Sequence, residues 1–287
     1  MEQSFHKPTS VDDAVKLLAD HGEQARLLAG GATLVALSNA ALVEPSALIS
    51  LSAIEELNEV RHDSDGSVRI GAMRRHRQTA FETPLQGAQR VLSNAARQIA
   101  NVPVRNMGTL GGSIAFADPA ADYPPALVAA DARIELASSE GRREVSAEDF
   151  FEGWYETAIE EGEMVTAVIL PSSPGDAVGH YQKLARISGD FAIASVALCV
   201  AQSQGSWSSM RIAIGGCGGG PVRVADAEAS LLGKAVSDTA VMARAGEQLV
   251  AALDPVDDVR ASAEYRLRVA PRLLTKALTM AAKASAS

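Results

Sequence analysis

The sequence predicts an α+β protein built in three lobes. Three observations carry this. Helical and strand patterns alternate over the first 175 residues, and a Ser-Ser-Pro-Gly-Asp break follows at 172–176. Beyond the break, three apolar runs separated by Gly and Ser turns give way to continuous helical patterning. At 287 residues the chain is longer than a single core usually serves.

In TSVDDAVKLLADHG, Thr9 or Ser10 can cap a helix, with an acid three residues on in either register. Val11, Ala14, Val15 and Leu18 share one face of it. ARLLA reads as a strand ending at Gly30-Gly31, ATLVALSNAAL as a helix and ALISL as a second strand, so a small α/β lobe occupies residues 1–58. SVRIGA is a strand and GAQRVLSNAARQIA a helix leading into the glycine-rich stretch NMGTLGGSIAFADPAADYPP. ALVAADARIEL then gives a short helix and a strand, and REVS and MVTAVILP add strands, closing a mixed lobe at 59–175. The third lobe, 178–283, opens with the strands HYQKLARI, FAIASVALCVA and SMRIAIGG, expected as a three-stranded antiparallel sheet. VRVADAEASLLG, DTAVMARAGEQLVAAL and ASAEYRLRVAPRLLTKALTMAAKA follow as helices.

A formal net charge of -9 argues against a general binder of nucleic-acid phosphates. The one basic run, MRRHRQ at 73–78, reads as a solvated turn or a partner-facing patch. No segment approaches eighteen uncharged apolar residues, and MEQSFHKPTS lacks the pattern of a signal peptide, so a cytoplasmic location is expected. Cys199 lies in an apolar run and reads as buried, while Cys217 sits among glycines. Two cysteines cannot hold an iron–sulfur cluster, so any such cluster must sit on another chain.

Two glycine pairs remain. AGGATL (29–34) follows a strand and opens a helix, and TLGGS (109–113) repeats the arrangement. Each is either a tight turn or a nest of outward N–H groups for an anion, and two nests would suit a diphosphate. Neither completes a G-x-G-x-x-G or P-loop pattern. Asp118 and Asp122 either cap the helix beginning near Pro124, for which Asp122 is well placed, or accept from sugar hydroxyls. The five histidines, His6, His21, His62, His76 and His180, lie in surface-like segments, with no pattern of a metal site or an activated nucleophile.

AGGATL, RNMGTLGGSIAFADPAADYPPAL, YQKLARISGDFAIASVAL and IAIGGCGGGPVR occur in a fixed order. Together they resemble the FAD-binding medium subunit of the molybdenum hydroxylases, the family of carbon monoxide, xanthine and N-heterocycle dehydrogenases. The resemblance runs from about residue 3 to about residue 280. It implies a two-subdomain FAD-binding domain of the vanillyl-alcohol oxidase-like type (1–175) and a C-terminal flavoprotein domain (178–283). It also implies a small subunit with [2Fe–2S] clusters and a large subunit with the molybdopterin cofactor, assembled as a dimer of heterotrimers. The substrate, an N-heterocyclic aromatic or carbon monoxide, would be oxidised on the large subunit. Electrons would pass from the clusters through FAD to an external acceptor.

Residue by residue, the resemblance assigns Ala29, Gly30, Gly31, Ala32, Thr33 and Leu34 to one diphosphate loop. Thr109, Leu110, Gly111, Gly112 and Ser113 form the other. Asp122 matches an acid at the FAD sugar, Ile99 and Val165 match apolar lining positions, and Lys183 matches a cation beside the isoalloxazine, with Tyr181 shaping the same pocket. No general acid, base or metal ligand is implied in this chain. Ala32 stands where relatives often carry a polar residue, and Ser113 where Asn is common. A stand-alone flavin oxidoreductase would need a substrate domain for which the chain has little length. A non-enzymatic nucleotide-binding subunit would keep the nests without turnover.

Overall fold

The structure is a computed structural model and describes residues 3–81 and 83–284. The first lobe holds β1 (Ser4–His6), α1 (Val11–His21), β2 (Ala25–Leu28), α2 (Leu34–Asn39) and β3 (Ala47–Ser50). Ser10 caps α1 through its Oγ, which accepts from Asp13 N at 3.1 Å, and Asp12 and Asp13 lie at the positive end of the helix. Val11, Ala14 and Val15 pack on Ala25, Ala47 and Ile49. The sheet is parallel in the order β1-β3-β2. Its first strand lies outside the predicted elements, since three residues are too few to show a period.

The second lobe begins with β4 (Val60–His62), β5 (Val68–Gly71), α3 (His76–Phe81), α4 (Arg90–Gln98), α5 (Val102–Met107), α6 (Leu110–Phe116) and α7 (Tyr123–Ala129). It continues with β6 (Arg133–Ser138), β7 (Gly141–Ser146), α8 (Ala147–Phe150), the hairpin β8 (Phe151–Gly153) and β9 (Glu156–Thr157), and β10 (Met164–Leu170). Its sheet is antiparallel in the order β4-β5-β10-β6-β7. The last strand of the lobe therefore fills the centre of the sheet, which explains why MVTAVIL is almost wholly buried.

The third lobe contains β11 (Val178–Leu184), β12 (Ala194–Ser203), β13 (Ser206–Gly215), β14 (Val222–Arg223), α9 (Ala225–Leu231), α10 (Thr239–Ala252) and α11 (Ala263–Ala284). The expected three-stranded sheet has four strands, β11-β12-β13-β14. The addition is the pair Val222–Arg223, which bonds to the end of β13 ahead of α9. β12 is apolar on both faces because both faces are covered. Val196, Leu198 and Val200 join the core under α10 and α11, while Ala197 and Cys199 join the core of the second lobe.

α4 lies along the edge strand β11. Asn94 Nδ2 donates to Gly179 O at 3.0 Å and Gln98 Nε2 to Tyr181 O at 3.3 Å. Four residues of helix rise about 6.0 Å and two of strand about 6.6 Å, so the two ladders stay in step. Gly179 permits this: a Cβ there would run into Ala88 O and lie 2.4 Å or less from the main chain at the start of α4.

Candidate functional site: two glycine loops and a buried ion pair

After β2 the chain turns through Gly31, held at φ 74, into α2, with Val35 N bonded to Gly31 O at 3.1 Å and Leu37 N to Thr33 O at 3.0 Å. Among the described residues, nothing in the chain accepts from the N–H groups of Gly30, Gly31, Ala32, Thr33 and Leu34. Thr33 is exposed and its hydroxyl makes no capping bond, while Gly30, Gly31, Ala32 and Leu34 are half-buried. A run of free donors around a left-handed glycine is the geometry of an anion nest.

The second loop is built differently from the sequence expectation. Leu110 N donates to Arg74 O at 2.9 Å and Gly111 N to Ala72 O at 2.8 Å, so these N–H groups are spent on β5's exit and do not face outward. Gly112 N is capped by Thr109 Oγ1 at 3.2 Å, which starts α6. Gly111 serves close packing, since a Cβ there would lie 2.5 Å from the Cβ of Ala72. Ser113 N likewise turns back, onto Thr109 O at 3.1 Å, so what this loop leaves open to solvent is the exposed surface of Gly112 and the half-buried Ser113.

The two loops touch. A Cβ on Gly30 would meet Met107 O and come within 3.0 Å of Gly108 Cα, and one on Gly112 would be 3.7 Å from Ala29 Cβ. Beneath them lies His76. It is buried, contrary to the surface position expected, with its Nδ1 3.0 Å from Tyr123 Oη and its ring against Gly108 Cα. Burial, aided by the charge of Arg105, lowers the imidazole to about 4, so it is neutral. The rest of MRRHRQ is partly exposed: Arg75 and Arg77 face solvent, while Arg74 is half-buried and Met73 buried.

Tyr123 is preceded by Asp122, and here the capping expectation fails. Asp122 makes no capping bond to α7. Its carboxylate accepts from Tyr181 Oη at 2.7 Å and from Lys183 Nζ at 2.9 Å. Burial raises the Asp122 carboxyl above its ordinary range, and the Lys183 ammonium and Tyr181 hydroxyl oppose that rise. The ion pair forms because β11 brings Tyr181 and Lys183 inward at alternate positions. Asp118 turns instead on itself, accepting from Ala120 N at 2.8 Å and from Tyr155 Oη at 3.3 Å.

The remaining assigned residues join through the main chain. Ile99 is half-buried at the end of α4, next to Gln98, whose carbonyl accepts from Lys183 Nζ at 2.8 Å. Val165 is buried on β10 beside Thr166, whose carbonyl accepts from Ala72 N, the residue under Gly111. The structure thus links both loops, Asp122, Tyr181, Lys183 and Ile99 in one region, and Val165 reaches it from below. His76 and Tyr123 are additions; nearby, Phe191, a half-exposed aromatic with the Arg260 guanidinium 5.1 Å from its ring, follows Asp190, whose carbonyl accepts from Lys183 Nζ at 2.9 Å. The distinctive S-G-D-F run held the only sequence signal for Phe191. A separate cleft of about 840 Å³ between α1, β2 and the β6–β7 turn contains none of these residues. Its walls carry glutamates and arginines, several of them already ion-paired, such as Arg143 with Glu163.

Comparison with known proteins shows the family. Residues 1–173 match the model of the FAD binding domain in molybdopterin dehydrogenase, and 179–281 that of the CO dehydrogenase flavoprotein C-terminal domain. The carbon monoxide dehydrogenase medium chain of Hydrogenophaga pseudoflava is 35% identical over 277 residues, 96% of each chain. Among solved structures, carbon monoxide dehydrogenase from the same organism, lacking the Mo-pyranopterin moiety of its cofactor, superposes with a TM-score of 0.93 at 36% identity, covering 99% of this chain and 98% of that one. Quinoline 2-oxidoreductase from Pseudomonas putida 86 gives 0.93 at 31% identity, covering 100% and 99%. Fold and relatives define an FAD-binding flavoprotein subunit. The chain belongs to the family of FAD-binding medium subunits of the molybdenum hydroxylases.

Proposed function

We propose that the Gly30–Leu34 loop and the Thr109–Ser113 corner hold the diphosphate of FAD. The observation that carries this is the row of free N–H groups from Gly30 to Leu34, in contact with the second loop. These donors fit an anion and owe nothing to side-chain identity, so Ala32 is tolerated. Thr109 fixes the main chain of Gly112, and Ser113 offers a hydroxyl where a longer amide would reach further. Asp122 stands near the sugar, Ile99 and Val165 line the apolar side, and Tyr181 and Lys183 hold Asp122 in place. Bound FAD supplies exchange between single-electron and two-electron transfer. The protein's own part is to bind, orient and shield, and no side chain acts as acid or base.

On this reading the subunit works in a dimer of heterotrimers, with [2Fe–2S] clusters on a small partner and the molybdopterin cofactor on a large one. The substrate is oxidised on the large partner, and electrons leave this subunit to an external acceptor. An N-heterocyclic aromatic or carbon monoxide is the substrate class, in line with the names of the relatives. The FAD-binding part, 1–175 with subdomains at 1–58 and 59–175, takes the vanillyl-alcohol oxidase-like form, and 178–283 closes over it. A cytoplasmic location belongs to the same reading and does not rest on the helices, although among the described residues no helix is long and apolar enough to cross a membrane.

The test is flavin retention. The full chain is expected to purify with visible flavin absorbance, or to take up added FAD in equimolar amount. Gly31→Val places a β-branched residue at φ 74 and should lose the flavin while keeping its far-UV circular dichroism. Equimolar flavin in that variant overturns the loop assignment.

A further inference from the structure

Lys183 spends its whole ammonium on three separate segments. Nζ lies 2.8 Å from Gln98 O at the end of α4, 2.9 Å from Asp122 Oδ1 before α7, and 2.9 Å from Asp190 O in the turn after β11. Three acceptors use all three N–H bonds of an ammonium. The Lys183 side chain is 4% exposed and that of Asp122 6%. Tyr181, two residues earlier on the same strand, fixes the carboxylate from a second direction.

Two of the acceptors adjoin the proposed flavin site, and the third lies in the turn packed on the exit of α4. Gln98 precedes Ile99, Asp122 is itself assigned to the sugar, and Asp190 precedes Phe191. The turn after β11 also lies directly on the exit of α4, since a Cβ on Gly189, at φ 90, would be 2.6 Å from Ala100 O. One amine therefore sets the spacing of three stretches of main chain that meet from two lobes. Its charge is met at contact distance by Asp122, so the pair is close to neutral toward anything beyond it.

We propose that Lys183 and Asp122 act as one neutral clasp that positions these three segments around the flavin site, and that Lys183 is not a free cation acting on the cofactor. Lys183 is a positioning residue on this account. The cofactor arm of the proposal rests on the FAD reading above, and the clasp itself does not. Removing one partner strands a buried charge, whereas removing both takes away the cause of that cost. The two substitutions should therefore be strongly non-additive.

The experiment is a double-mutant cycle on the full chain with Lys183→Met, Asp122→Asn and the pair combined. Without flavin, thermal unfolding and hydrogen exchange at residues 187–191 are measured. With FAD, the dissociation constant well below the unfolding transition, the fluorescence quenching of bound flavin and the midpoint potential are measured. Each single variant should weaken FAD binding by about tenfold or more and speed exchange at 187–191, with the double no more than about threefold worse than the weaker single. Because the pair is neutral as a whole, the potential of flavin bound to the double variant should equal that of the unsubstituted chain. Losses that multiply in the double variant overturn the clasp, as does a shifted potential in the double variant, which marks Lys183 as a charge acting on the ring beyond its pairing with Asp122. A single variant that does not fold while the double variant does supports it. If the unsubstituted chain takes up no FAD, the flavin reading fails, and the unfolding and exchange cycle still decides the clasp.

Discussion

His76 shows what a single buried residue does to the pH range of the fold. Burial lowers its imidazole to about 4 in the folded chain, against about 6.5 when free, so the unfolded chain binds more protons between those values. Its contribution is complete above about 6.5 and is lost as pH falls toward 4, to a total of about 3 kcal/mol. His76→Asn keeps an amide beside Tyr123 and removes the titration. Chemical denaturation between pH 7 and pH 4.5 should show a steep loss of stability in the parent chain and a flatter curve in the variant. Equal slopes would show that the imidazole is free to charge in the folded chain. Glu135 acts lower down. The Arg69 and Thr166 hydrogen bonds, with Arg142 nearby, overcome its burial and hold it at about 2. Its share is present above about 4.5 and falls away as pH drops through 2, a window that leaves the His76 comparison clear.

At the scale of elements, the α4–β11 seam is the place where one atom decides the packing. Gly179→Ala would put a methyl group into Ala88 O, so the helix must lift from the strand or the strand must bend. We expect a loss of about 2 kcal/mol in denaturant unfolding, within the range for overpacked contacts. A change under about 0.5 kcal/mol would mean that the seam has slack. The same seam shows why some of the molecule was legible and some was not. Helix α1 was readable because its information is local: Ser10, Asp13 and an apolar face lie within a few residues. β12 was readable as a buried run, although not which face met which lobe. Asp122 was misleading for the same reason that α1 was clear. An acid before Tyr-Pro-Pro has the local form of a cap, but its partners Tyr181 and Lys183 lie 59 and 61 residues away. The glycine pairs divided in a similar manner. Gly30-Gly31 keeps its free donors, while the N–H of Gly111 is claimed by Ala72 across a sheet order that local patterning does not encode.

For the whole molecule, the third lobe is anchored by Arg266 on α11. Its guanidinium is buried and donates to Ile193 O, Gly216 O and Asp258 Oδ1, joining the helix to the start of β12 and the end of β13, which lie side by side at one end of the sheet. Gly216 N in turn donates to Pro119 O at 3.0 Å, and Ala192 N to Ala120 O at 3.2 Å, so the lobe grips the turn that carries Asp122. Arg266→Met should destabilise the chain by about 3 kcal/mol or more, because carbonyls and a carboxylate lose a charged donor in a buried place. It should also weaken FAD binding although the substitution is outside both glycine loops. Unchanged flavin affinity in the folded variant would separate the third lobe from the site. The division of labour proposed for the complex has its own check. Substrates of either class should leave the flavin of the isolated chain oxidised, and rapid bleaching by substrate alone would refute it.

The glycines at positions 30, 179 and 189 share a property that reaches beyond binding. At each, main chain rests on neighbouring main chain or on a small side chain, so the separation of the lobes is gauged by backbone. Side-chain volume elsewhere can then drift without moving the lobes apart. A chain 36% identical to a solved relative can accordingly superpose on it at a TM-score of 0.93. Sequence variation in such a scaffold is free to follow the chemistry of partner chains, while the frame that presents the cofactor keeps its dimensions.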